Sequence, residues 1–380
     1  MKLSQNKKLL CLNDIENEAL KQLPKRYGDY YKGGADDEIT LRRNLESYKN
    51  LLIRPFCLRN VSNINTEITI KLGNQVFSFP YPIGISPSAF HRLAHDGGEK
   101  LTAKACHKAQ VPVIFSTMGN ISVFDIKKEI DGDSNLWFQL YVYKNREITK
   151  KLVDNAKAAG FKAIVLTVDT PVVGARRADI RNDFKLPDHL ELANLKKISI
   201  LEKENNSRLG TFELNKYSAN FFDPSLTWED VKWLVDYSKI PVIIKGILRG
   251  DDAEKAIESG AAAIMVSNHG GRQLDTTVST IEALPEIVRS VQKRIPIFID
   301  GGIRSGSDIF KAITLGADMA FIGRPILYGL TIGGESGVTH VLDILKKEFT
   351  TTMKLSGCDS IKFMKEAKNL VINSDFIPKL

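Results

Sequence analysis

Cysteine is scarce in this chain. The four, Cys11, Cys57, Cys106 and Cys358, lie far apart with no CxxC pair. That spacing argues against a zinc site or a disulfide scaffold and fits a reducing, intracellular setting. No apolar run approaches the roughly 18 residues that a membrane helix requires. The opening stretch MKLSQNKKLLCLNDIENEAL is broken by Asn, Asp and Glu before a signal-peptide core forms, so neither membrane nor secretory route is expected. No GxGxxG follows the first strand-like run, which removes the usual dinucleotide fingerprint. Charge of one sign is not concentrated either. The net +8 comes from 53 Lys and Arg interleaved with 45 acids, the pattern of a solvated basic surface and not of a nucleic-acid partner.

What the chain does have is a repeated unit, a short apolar run followed by an amphipathic helical pattern. The runs are 81–86, 111–116, 136–142, 163–168, 241–245, 262–267, 295–300 and 319–323. They are continuous and not alternating, as parallel strands buried on both faces require. Asp251-x-x-Glu254 reads as a capping box, and Thr227 precedes the acidic first turn Glu229-Asp230. Gly160, Gly260 and Gly316 each end a helical stretch before the next run. Eight such units predict an α/β protein, a (β/α)8 (TIM) barrel, in preference to an open doubly wound sheet. The barrel is expected over 76–365. Residues 1–75 form an N-terminal extension, helical at Asp14–Leu23, covering its bottom or side, and 366–380 form a tail. Between the fourth and fifth runs, 175–226 is polar and irregular and is expected to be a lid or disordered loop.

In a barrel the chemistry gathers at the C-terminal strand ends. Those positions carry Pro87, Ser88, Ala89, Ser116, Gln139, Tyr141, Thr167, Asp169, Arg176, Lys245, Ser267, His269, Arg272, Asp300, Gly301, Gly302, Arg304, Gly323 and Arg324. No metal-ligand cluster is among them. The glycine-rich turns after the seventh and eighth strands stand where barrels hold a phosphate, with Arg324 as a bidentate donor. Taken alone, either turn is equally well explained as a tight connection. A lone histidine is more often structural than catalytic. His269 shares its loop with Arg272, though, and Gly270-Gly271 would let a substrate approach. An imidazole with a pKa of about 6.5 accepts a proton at neutral pH, and a guanidinium clamps a carboxylate. Asp169 would orient the imidazole, or else serve as a turn residue beside Pro171.

Six segments carry a family resemblance: DYYKGGADDEITLRRN (29–44), FQLYV (138–142), LTVDTP (166–171), SNHGGRQLD (267–275), IDGGIRSGSD (299–308) and GRP (323–325). In this order they resemble the FMN-dependent 2-hydroxy acid oxidising family, from about residue 10 to 365. The resemblance implies FMN as cofactor and oxidation of an L-2-hydroxy acid to the 2-oxo acid. His269 would be the base, Arg176 and Arg272 the carboxylate ligands, and Tyr30 and Tyr141 further substrate contacts. Gln139 would contact the flavin ring, and Lys245 would supply a fixed cation beside it. The other strand-end residues would hold ring, ribityl chain and phosphate. Whether His269 removes the α-proton or the hydroxyl proton is left open.

At Met118 the chain departs from short-chain glycolate oxidases, which carry tryptophan there, so a larger 2-hydroxy acid is expected. O2 is the expected electron acceptor, releasing hydrogen peroxide; a dehydrogenase feeding a quinone or cytochrome is the alternative. A non-redox phosphate-binding barrel enzyme, or a binding protein derived from one, is the more distant reading. By resemblance the chain is a homo-oligomer, a tetramer. Pro378-Lys379-Leu380 resembles the SKL-type peroxisomal address, with the cytoplasm as the alternative.

Overall fold

A computed structural model of the chain describes residues 8–196, 198 and 220–374. Three helices open it: α1 (Leu12–Gln22), α2 (Lys25–Lys32) and α3 (Ile39–Lys49). The first begins ahead of the expected Asp14 because that carboxylate caps it from within, accepting the N–H of Leu10 at 2.9 Å and of Cys11 at 3.3 Å. After the short β1 (Leu51–Ile53), β2 (Ile68–Leu72) and β3 (Gln75–Phe79) pair as an antiparallel hairpin.

The eight apolar runs then become β4 (Ile83–Ile85), β5 (Val113–Ser116), β6 (Leu136–Leu140), β7 (Ala163–Thr167), β8 (Val242–Ile247), β9 (Ala263–Val266), β10 (Ile297–Ile299) and β11 (Met319–Ile322). They close in the order β10-β11-β4-β5-β6-β7-β8-β9, every pairing parallel. Both faces of each strand are buried, which is why the runs are continuous. Trp137 on β6 reaches across the interior to Phe298 on β10 and Phe321 on β11, with centroids 5.7 and 5.8 Å away. These rings fill the barrel instead of leaving a pore. Burying each one stabilises the fold by about 1.5–3 kcal/mol.

The outer layer is built from α4 (Gly98–Lys108), α5 (Val123–Lys127), α6 (Arg146–Ala158), α7 (Arg177–Arg181), α8 (Trp228–Ser238), α9 (Gly250–Glu258), α10 (Thr280–Val291), α11 (Gly306–Thr314) and α12 (Arg324–Leu355), the last kinked at Gly334. Beyond it come α13 (Ile361–Glu366) and β12 (Val371–Asn373), which pairs antiparallel with β1 and ties the tail to the N-terminal extension. Thr227 does cap α8, donating its N–H to the Asp230 carboxylate at 2.9 Å. Asp251 does not cap α9. The N-cap is Arg249, and Asp251 sits inside the first turn, bonded to the Arg249 guanidinium.

Two expectations change. The extension does not simply cover the bottom or side: α1 to α3 lie over the C-terminal mouth, while the β2–β3 hairpin closes the other end, Phe77 meeting Trp137 at 6.2 Å. The segment after β7 is not wholly irregular. Beyond α7, Leu186, Leu190, Leu192, Leu195 and Ile198 are buried. Asn194 accepts the N–H of Val123 at 3.0 Å, and the Ala193 N–H donates to Gly119 O at 3.2 Å. Polar composition hid these buried leucines, and Ala193 and Asn194 among them tie the segment to the chain after β5. Most of the expected lid's centre, and Pro378-Lys379-Leu380, lie outside the described residues.

Candidate active site

A cavity of about 730 Å³ opens at the C-terminal ends of the barrel strands, roofed by the N-terminal helices. Of the residues expected from sequence, Tyr30, Pro87, Ser88, Ala89, Ser116, Met118, Gln139, Tyr141, Thr167, Arg176, Lys245, His269, Arg272, Asp300, Gly301, Gly302, Arg304, Gly323 and Arg324 all line it. Asp169 and Ser267 stand behind this wall and bond to residues in it.

His269 follows β9 in a left-handed conformation (φ 58°). Its backbone N–H is held by Ser267 Oγ at 3.1 Å, and its Nδ1 lies 2.9 Å from Asp169 Oδ1. With Nδ1 so engaged, Nε2 is the ring nitrogen free to meet a substrate. Burial holds the imidazole below its ordinary pKa; Asp169 pulls it back up, while Lys245 and Arg176 push it down. Asp169 stays ionised despite burial because His269 and then Lys245 hold its carboxyl below the usual range. Lys245 is 3% exposed, its Nζ donating to Ser267 Oγ at 2.8 Å and lying 3.6 Å from Asp300 Oδ2.

Two guanidiniums, Arg176 buried and Arg272 half-buried, face the same space. Arg272 donates to the carbonyls of Tyr30 (2.7 Å) and Gly33 (3.0 Å) and lies 4.9 Å from the Tyr30 ring centroid. Arg176 lies beside it, its Nε 3.5 Å from Arg272 O, and burial followed by that neighbouring charge pushes its pKa down to about 10. Among the described residues neither forms an ion pair with a carboxylate, and a buried guanidinium beside a second cation calls for an anion. Tyr30 is stacked by Phe184 (4.4 Å) and Tyr141 by Phe222 (4.5 Å). Burial keeps both phenols protonated, as donors. Gln139 bridges Ser116 and Thr167, accepting from the first at 3.3 Å and donating to the second at 3.1 Å.

At the far end of the cavity the glycine turns have reasons beyond a phosphate. A Cβ on Gly302 would stand 2.0 Å from Asn44 O, so this glycine first of all admits α3. Gly270-Gly271 likewise make room for Arg324 and the Leu41 backbone. The Arg324 guanidinium is not a free fork. It donates to Tyr31 O (2.9 Å), Gly270 O (3.0 Å) and Gly33 O (3.0 Å), leaving only its remaining N–H groups and the start of α12 for an anion. Arg304 pairs with Glu16 of α1.

FMN fits this donor set. Asp300 Oδ1 is buried with no hydrogen-bond partner among the described residues, while its other oxygen accepts from Ser86 Oγ at 2.9 Å, so an acceptor waits for a hydroxyl such as a ribityl group supplies. Lys245 would lie against the ring, and the Gly301–Gly302 turn and the α12 N-terminus would receive the phosphate.

Several residues that shape the site were not singled out from sequence. Asn44 and Asn268 exchange side-chain hydrogen bonds at 2.9 and 2.8 Å. Gln273 donates to Asp169 O (3.0 Å) and Val172 O (2.9 Å), clipping the Asp169 loop to the His269 loop. Asp275 accepts the N–H groups of Asp37, Ile39 and Thr40 and so begins α3. These four lie inside the motifs 29–44 and 267–275, which was the available signal. Glu99, its pKa pushed up to about 7 by burial, accepts the N–H of His91 and of Asn120 and joins the Ala89 loop to the Met118 loop.

A family model described as FMN-dependent dehydrogenase matches residues 19–370. The chain is 43% identical over 355 residues to 2-hydroxyacid oxidase 1 from Homo sapiens, covering 93% of this chain and 95% of that one. It is 45% identical over 352 residues to glycolate oxidase 3 from Oryza sativa subsp. indica, covering 92% and 93%. A solved structure of mandelate oxidase with (S)-4-hydroxymandelic acid shares the fold with a TM-score of 0.86 at 36% identity, over 94% of this chain and 97% of that one. Site geometry, motif order and near full-length similarity agree, and the chain belongs to the FMN-dependent dehydrogenase family.

Proposed function

We propose that this protein is an FMN-dependent oxidase of L-2-hydroxy acids larger than glycolate, with O2 as the electron acceptor. The observation that carries the reading is the meeting, in one cavity, of the His269–Asp169 pair with two guanidiniums that form no ion pair with a carboxylate among the described residues. A substrate carboxylate between Arg176 and Arg272 supplies the missing charge, and the Tyr30 and Tyr141 phenols donate to the carboxylate or hydroxyl. His269 Nε2 takes one proton as the alcohol becomes a ketone, and Asp169 stabilises the imidazolium that results. FMN, when bound, would supply the two-electron acceptor. Lys245, buried in the cavity wall, would keep a fixed positive charge beside the bound ring.

Met118, 3% exposed in the cavity wall, supports the substrate size: a flexible thioether leaves room that an indole would fill. Among the relatives, the printed names include the small glycolate and the larger mandelate. Release of hydrogen peroxide accords with a peroxisomal location addressed by Pro378-Lys379-Leu380, and a homo-oligomer, a tetramer, is part of the same reading. The test is peroxide formation by the purified yellow protein in air against glycolate, lactate and longer 2-hydroxy acids. Turnover only with an artificial acceptor would overturn the oxidase reading, and a preference for glycolate would overturn the size.

A further inference from the structure

Tyr48 stands on α3 one turn beyond Asn44, against the turn that follows β10. Its Cε2 lies 3.1 Å from the place a Gly302 Cβ would take, so the ring packs directly on the Gly301–Gly302 corner. The residue is 2% exposed and lines the cavity, and its backbone carbonyl accepts from Lys311 Nζ at 2.8 Å. Its hydroxyl, by contrast, has no hydrogen-bond partner among the described residues. A phenylalanine would fill the same space without burying an orphaned hydroxyl, and a buried polar group left unpaired costs free energy. Burial, then the charges of Asp308 and Asp300, hold the phenol well above its ordinary pKa, so it remains a donor at neutral pH.

What this donor lacks is an acceptor, and it packs on the two positive-φ glycines in a cavity that Gly323 and Arg324, at the start of α12, also line. We propose that Tyr48 is a cofactor-binding residue, its O–H donating to a phosphate oxygen of FMN. The inference rests on the reading of the cavity as an FMN site. It assigns the N-terminal extension a second task besides roofing the cavity, that of selecting the phosphorylated flavin over riboflavin.

The test is titration of apo-protein with FMN and with riboflavin, followed by flavin fluorescence, for the parent and for Tyr48→Phe. The thermal midpoint of each apo-protein serves as the fold control. A hydrogen bond to a charged acceptor predicts that the FMN Kd rises about tenfold or more in Tyr48→Phe, with riboflavin binding and the apo midpoint unchanged. FMN binding within about twofold of the parent would overturn the proposal, as would an equal loss for FMN and riboflavin, which moves the contact to the ribityl chain. Tyr48→Leu, which removes ring and hydroxyl together, separates packing from bonding: a Kd that rises for Leu alone also overturns it. A parent that binds neither flavin would instead overturn the underlying FMN reading.

Discussion

His269 Nδ1 and Asp169 Oδ1 lie 2.9 Å apart, joining the loop after β9 to the end of β7 across 100 residues of sequence. The contact sets the tautomer that leaves Nε2 toward the cavity, and it opposes the depression of the imidazole pKa by burial. The base is the neutral ring, so activity is present above the folded pKa and lost as pH falls through it. The acid limb of kcat/KM should therefore lie below the free value of about 6.5. In Asp169→Asn the upward pull disappears, so the limb should move lower still while turnover falls about 10²-fold or more. A limb that moves to higher pH in this variant would contradict the assignment. The unfolded chain takes up this proton first, so stability also rises with pH between the two values.

Replacing His269 by Gln removes the proton acceptor and leaves the cavity's donors in place. Turnover should fall by about three decades with FMN still bound. Near-normal turnover in a folded, yellow variant would remove His269 from the chemistry.

Arg272→Lys loses the planar fork and with it the bonds to Tyr30 O and Gly33 O. Hydrogen bonds to charged groups are worth about 1.5–3 kcal/mol, so apparent substrate affinity should fall roughly 10- to 100-fold. Loss of FMN with substrate affinity intact would place Arg272 on the cofactor instead.

Met118→Trp should shift kcat/KM toward glycolate and away from longer acids. A methylene's worth of contact is about 1–3 kcal/mol, so the change is expected to be tens-fold. An unchanged ratio across glycolate, lactate and a longer acid would show that Met118 does not touch the side chain.

Asp275→Ala leaves three backbone N–H groups at the start of α3 without their acceptor. A loss of about 1–3 kcal/mol follows, seen as a lower thermal midpoint. Since α3 carries Asn44 and Tyr48 to the cavity, FMN affinity should fall as well. Unchanged stability and FMN affinity would show that α3 is held by other contacts.

The eight barrel strands were legible because each is a local run buried on both faces, and topology alone then brings their ends together. That is why nearly every strand-end residue named from sequence lines one cavity. The sequence by itself determined the barrel and the membership of its mouth. Only the tertiary structure decided how the N-terminal extension completes that mouth. Asp275 begins α3 from 235 residues away, Asn44 meets Asn268 across 224, and Arg324 spends its donors on carbonyls of 31, 33 and 270. Pairings of this kind leave no periodicity in the chain. They arise when buried donors and acceptors must find partners once the barrel has closed, and Tyr48, which lines the cavity, keeps a hydroxyl with none among the described residues.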